Sequence, residues 1–251
     1  MKIRLSIPII ALALTLALTS CSKDTTDVDA QGAMSEAILG VTEDSGQGYI
    51  DSLIFVGEST TYHLKSRGVL SGGTETQQVW ASKSGTLNLD MSTKNAKIIY
   101  PETGELMTIS HAAERSQPEY IVFTFGLNGA VQNISKGEEY YKSCYLSLIN
   151  SVRAVSPETR IILQSAFPVA SNMDMTNYSV DVKTLNEYID TINSWTLDLA
   201  ISEGLRYLNT SEILKDGSGY LRYELQVGDG HHLKTEAYTE ILEYIRTHEY
   251  K

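Results

Sequence analysis

Short apolar runs alternate with longer stretches of helical periodicity from residue 52 almost to the end of this chain, and that alternation limits the fold more than any other feature. Residues 52–56, 77–81, 120–125, 160–164 and 205–208 read as strands. The run at 52–56 is short and apolar and that at 120–125 β-branched and aromatic, as expected for buried strands. Residues 61–65, 106–115, 137–155, 181–201 and 235–246 read as helices. In the longest, Leu185, Tyr188, Ile189, Ile192 and Trp195 share one face, and Gly204 is a natural stop. Residues 86–91 and 96–100 alternate polar and apolar around Ser92-Thr93-Lys94-Asn95 and predict a hairpin. The order predicts an α/β fold, a three-layer α/β/α sandwich with a mainly parallel sheet. Ligands of such sheets bind beyond the carboxyl ends of the strands, so the loops after Val56, Ala81, Phe125 and Leu208, and the loop before the last helix, are where a site is expected.

The N-terminus reads separately. Lys2 and Arg4 precede an apolar run over residues 7–18, shorter than the roughly 20 residues of a membrane span and of the length of a signal-peptide core. Leu18-Thr19-Ser20-Cys21 resembles the lipobox of bacterial lipoproteins. That resemblance implies a signal peptide over residues 1–20, lipidation of Cys21, and a bacterial cell membrane location, lipid-anchored and extracytoplasmic. Residues 21–48, rich in Asp, Thr, Ser and Gly, read as a flexible tether. Residues 33–41 carry the pattern of a short helix within it. Residues 49–251 are then one domain.

Charge narrows the partners. The formal net charge is −11 over 251 residues, two units more negative once Lys2 and Arg4 leave with residues 1–20. Such a surface repels nucleic acid and anionic headgroups, so no nucleic-acid partner is expected, and membrane contact only through the anchor. With Cys21 acylated, Cys144 has no partner for a disulfide and reads as a small apolar residue on a helix.

Two loops carry candidate chemistry. Gly57-Glu58-Ser59 closes the first strand, and taken alone Ser59 reads first as a helix N-cap. A hydroxyl at that strand-to-helix turn also faces helix amides that favour developing negative charge. Of five histidines, His63 follows the serine on the same helix and is expected to point elsewhere, His111 lies in a helical stretch, and His248 lies in the tail. His232 ends Asp229-Gly230-His231-His232, where a turn at Gly230 folds Asp229 back onto the imidazole. The alternative is a capped turn with both histidines merely exposed. No cluster completes a metal site, and no cofactor is expected.

These blocks, with Gly126-Leu127-Asn128-Gly129 after the strand at 120–125, stand in the order of the motifs of SGNH (GDSL-like) hydrolases, which the domain resembles over about its whole length. Glu58 stands where that family has aspartate, and Gly129 where aspartate follows the asparagine. The resemblance implies a flavodoxin-like hydrolase fold and a serine esterase, with Ser59 as nucleophile, His232 as base and Asp229 as its partner. It further implies an oxyanion hole made by the Ser59 amide, the Asn128 side chain and a loop glycine. Gly85 fits that last place best, with Gly68, Gly72 and Gly73 as alternatives. Short acyl groups, acetyl foremost, on extracellular or cell-wall glycans are the expected substrates. A lipid or lysophospholipid acyl hydrolase, or a non-catalytic glycan-binding lipoprotein on the same fold, is the alternative. Trp80 and Tyr100 would then either wall a sugar site or fill the core.

Overall fold

The computed structural model describes residues 32–251. Signal peptide, lipobox and the first part of the tether lie outside the described residues. Four parallel strands form the central sheet: β1 (Leu53–Gly57), β4 (Tyr120–Thr124), β5 (Arg160–Gln164) and β6 (Arg206–Leu208), in the order β1-β4-β5-β6. Val56 pairs with Phe123, Phe123 with Leu163, and Leu163 with Tyr207.

Successive strand residues point to opposite faces, and the packing sorts them accordingly. Val56, Ile121, Phe123, Leu163 and Tyr207 enter one core, filled by α3 (Ile109–Ser116), α5 (Glu138–Arg153) and α6 (Val182–Glu203). Phe55, Val122, Ile162 and Leu208 enter the other, filled by α1 (Gly46–Asp51), α2 (Ser59–Ser66) and α8 (Thr235–Arg246). This is the three-layer α/β/α sandwich the sequence predicts. Cys144 is buried in the first core, where burial pushes its thiol up, as befits an apolar filler. Among the described residues no helix is long and apolar enough to cross a membrane.

Several expectations are corrected. Residues 77–81 form no full strand. They meet the outer edge of β1 at one point, where the Phe55 N–H donates to the Gln78 carbonyl (2.7 Å) and Trp80 N–H to Phe55 (3.0 Å). The hairpin lies further along than predicted: β2 (Lys97–Ile99) pairs antiparallel with β3 (Leu106–Thr108). Its turn is Pro101-Glu102-Thr103-Gly104, closed by Gly104 N–H to the Tyr100 carbonyl at 2.8 Å. Residues 86–91 are kept from pairing because Thr93 Oγ1 accepts from Asp90 N–H and donates to the Asn88 carbonyl, both at 2.7 Å. Consequently α3 starts at Ile109, behind a Thr108 cap, not at residue 106.

The packed domain also begins earlier than residue 49. Residues 32–37 are helical, Ala37 and Leu39 are buried, and Leu39 N–H donates to the Tyr207 carbonyl (2.9 Å) along the outer edge of β6. Thr42 and Ser45 then bond the carbonyls of Thr247 and Arg246. Both edges of the sheet are thereby covered, which removes open edges as sites of further strand pairing.

Candidate active site

All three predicted loops meet at the carboxyl ends of β1 and β4. Gly57 ends β1 where a Cβ would sit 2.3 Å from the Thr124 carbonyl oxygen and 2.4 Å from Thr61 Oγ1, so only glycine lets β1 and β4 approach this closely before the chain turns. Ser59 is the first residue of α2, and the flanking cap position is Glu58. No side-chain cap bond forms there, so the N-cap reading of Ser59 fails. Its hydroxyl instead lies 3.0 Å from His232 Nε2.

On the far side of that imidazole, Nδ1 lies 2.7 Å from Asp229 Oδ2. With the proton on Nδ1 and directed at the carboxylate, Nε2 is left to accept from Ser59. Asp229 Oδ1 is held in turn by the N–H groups of His232 (2.9 Å) and His231 (3.1 Å). Burial raises the Asp229 carboxyl, but these two amides and the His232 ring outweigh it and carry the group down to about 2. It is therefore ionised wherever the imidazole can act as a base. Gly230 makes the turn. Its φ is +86°, and a Cβ would meet the Met173 Cα at 2.6 Å. Gln226 Oε1 takes the Gly230 N–H at 3.0 Å, and the Gly230 carbonyl accepts from Ala170 N–H at 2.7 Å. Tyr238 on α8 donates to the Thr60 carbonyl (2.7 Å), tying the histidine's side of the site to the serine's turn.

The three side chains have the geometry of a serine–histidine–aspartate triad.

Glu58 ties a second loop to the serine's turn. Its buried carboxylate accepts from Gly126 N–H (2.9 Å) and Asn128 N–H (3.0 Å), fastening the loop after β4 to the residue beside Ser59. Burial pushes this carboxyl up to about 7, with the amides of Gly126, Asn128 and Leu127 opposing the rise. Asn128 Nδ2 donates to Thr86 Oγ1 at 2.9 Å. An amide carries two N–H donors, so one remains for an incoming oxygen while Thr86 sets the orientation. The Ser59 N–H stands in the first turn of α2, where helix amides have no partner within the helix. Gly85 does not fit the third place: its N–H donates to the Ser82 carbonyl (2.9 Å) within its own turn, and it packs beneath the Tyr62 ring. The residue of that loop touching Asn128 is Thr86.

His63 is the residue the sequence reading misplaced. Four positions after Ser59, it shares that helix face, and its ring centroid lies 4.7 Å from that of His232. Burial lowers it to about 4, with His232 and Arg67 adding to the shift, so a neutral ring flanks the base. His231 lies on another side, with centroids 4.0 Å apart. Asp229, His231 and His232 bring one ligand atom each within 4.8 Å of one another. Both His232 nitrogens and the Asp229 carboxylate are already engaged in the triad, so a cation there would compete with it.

Trp80 and Tyr100 are 2% and 5% exposed, with ring centroids 6.3 Å apart. They line a cavity of about 400 Å³ with Ser52, Ile54 and Pro118, residues at the amino ends of β1 and β4, opposite the triad. The core-filling reading holds for this pair.

No protein-family model and no curated protein matches the sequence. Solved structures do. One, from Streptococcus pneumonia and described provisionally as a platelet activating factor, is 16% identical, with 88% of this chain and 91% of that one covered and a TM-score of 0.49. A GDSL-like lipase from Bacteroides thetaiotaomicron is 15% identical, covering 87% and 93%, with a TM-score of 0.47. An acetylxylan esterase from Geobacillus stearothermophilus is 13% identical, covering 79% and 94%, with a TM-score of 0.44.

Proposed function

We propose that this protein is a serine ester hydrolase of the SGNH type, removing short acyl groups, acetyl foremost, from extracellular or cell-wall glycans. The observation that carries the reading is the unbroken chain from Ser59 Oγ through His232 to Asp229, at 3.0 and 2.7 Å. Ser59 attacks the acyl carbonyl while His232 Nε2 takes its proton, and Asp229 stabilises the imidazolium so formed. The Ser59 N–H and the second Asn128 N–H receive the developing oxyanion; one such donor is typically worth about 10²–10³ in rate. His232 then gives its proton to the departing alcohol. Water, deprotonated by the same nitrogen, releases the acid and restores Ser59.

The choice of a polar, glycan-like alcohol over a lipid rests on what surrounds Asn128. A cavity of about 460 Å³ beside it is lined by Asn88, Gln132, Asn177 and Ser179 among others. A long acyl chain is held by burying methylenes, about 0.8 kcal/mol each, and these side chains offer little apolar surface for it. On the same proposal the chain is held at the membrane by acylated Cys21, which leaves the site facing the extracytoplasmic space.

The test is a series of p-nitrophenyl esters from acetate to palmitate with the purified protein. The reading expects kcat/KM to be highest for acetate and to fall steadily beyond butyrate. Activity rising with chain length would transfer the assignment to lipid esters.

A further inference from the structure

The space beyond Asn128 is larger than one acylated sugar requires. Two lobes meet there. The first, about 460 Å³, runs from Asn128 along the first turn of α4 (Ala130–Lys136) to the loop at Asn177 and Tyr178. The second, about 310 Å³, runs from Asn128 past Asn88 toward the end of α4. Asn88, Asn128 and Gln132 border both. Each lobe alone lies in the range that accommodates a small ligand, about 300–1,000 Å³. Asn128, which borders both, donates its N–H to the carboxylate of Glu58, the residue before Ser59.

The lining is chemically specific. Asn88, Gln132 and Asn177 are exposed side-chain amides, each with two donors and one acceptor group, matched to hydroxyls that both give and receive hydrogen bonds. The charged groups of the second lobe are one of each sign, Asp90 and Lys136, so the cleft has no net charge to select an ionic chain. Tyr178, 38% exposed, places an aromatic face at the outer end of the first lobe, suited to the C–H face of a pyranose.

We infer that this cleft is an oligosaccharide-binding site, holding a neutral chain of at least two sugar rings across Asn128 and presenting an ester on one of them to Ser59. Gln132, shared by both lobes, and Asn177, in the outer part of the first, are the specificity-determining residues. The inference rests on the esterase reading of the site, and its test separates the two. The kcat/KM of the purified protein is measured on O-acetylated xylo-, gluco- and manno-oligosaccharides of one, two and three rings, with p-nitrophenyl acetate as the ester that bypasses the cleft. At least one series is expected to rise ten-fold or more from one ring to three. In the variant carrying Gln132→Ala and Asn177→Ala, kcat/KM on that trisaccharide falls at least ten-fold further than on p-nitrophenyl acetate. Equal kcat/KM at every chain length in all three series, or equal losses on both esters in the variant, would overturn the oligosaccharide site while leaving the triad standing. Absence of turnover on p-nitrophenyl acetate in the wild type would instead remove the esterase reading and the inference with it.

Discussion

Ser59→Ala is expected to lower kcat on p-nitrophenyl acetate by about 10⁶-fold, the loss typical of removing a nucleophile from a working triad. Among the described residues its side chain bonds only His232, and it caps no helix, so the fold has little stake in the hydroxyl. Thermal melting should therefore stay within a degree or two of the wild type. That separation matters, because loss of turnover with loss of fold would say nothing about chemistry. Circular dichroism and initial rates on the same preparations check both halves. Turnover in the variant at the wild-type rate would remove Ser59 from the mechanism.

Asp229→Asn is expected to cost about 10⁴-fold in kcat, again with the fold intact. An asparagine oxygen can still accept from the His231 and His232 amides, which preserves the loop. What it changes is the imidazole. An NH₂ facing Nδ1 favours the tautomer with the proton on Nε2, which can no longer receive the Ser59 proton. The acid side of the stability profile supplies a second readout. Because the folded-state value of Asp229, about 2, lies below its ordinary 3.8, its carboxylate stabilises the fold fully above about pH 4. That contribution fades as pH falls through 2. The asparagine variant lacks this dependence, so its melting temperature should drop less than the wild type's between pH 4 and pH 2.

Much of this architecture is legible in the sequence for a simple reason: strands covered on both faces are apolar at most positions. β1, β4 and β5 are read correctly because nothing else in the chain looks like them. α6 is equally plain, since Leu185, Ile189 and Ile192 repeat at helical spacing and Gly204 closes it in a left-handed turn. The triad loops are legible because glycine and titratable residues coincide at strand and helix ends. What was not legible depended on side chains acting on the backbone at short range. Thr93 and Asp90 bond the backbone of Asn88, Asp90 and Ser92 and bend the chain after the strand-like alternation of residues 86–91, and Pro101 to Gly104 place the hairpin elsewhere. α4 is seven residues long, with too few apolar positions to show a period. The earlier start of the packed domain is not legible because the short run Ala37-Ile38-Leu39 lies between Glu36 and Gly40, and the burial of Ala37 and Leu39 depends on the distant edge of β6. Within the site, His63 was open to reading from its spacing, four residues from Ser59. Thr86 is not, since its contact with Asn128 crosses 42 residues.

The measurement that tests the central claim most directly is covalent trapping. The purified protein is incubated with a fluorophosphonate, whose phosphorus takes a bond from an activated serine oxygen as fluoride leaves, and the digested product is mapped by mass spectrometry. The account predicts one adduct, on Ser59, formed rapidly in the wild type and suppressed in Asp229→Asn. An adduct on a different residue, or none at a concentration that labels a serine esterase control, would contradict it.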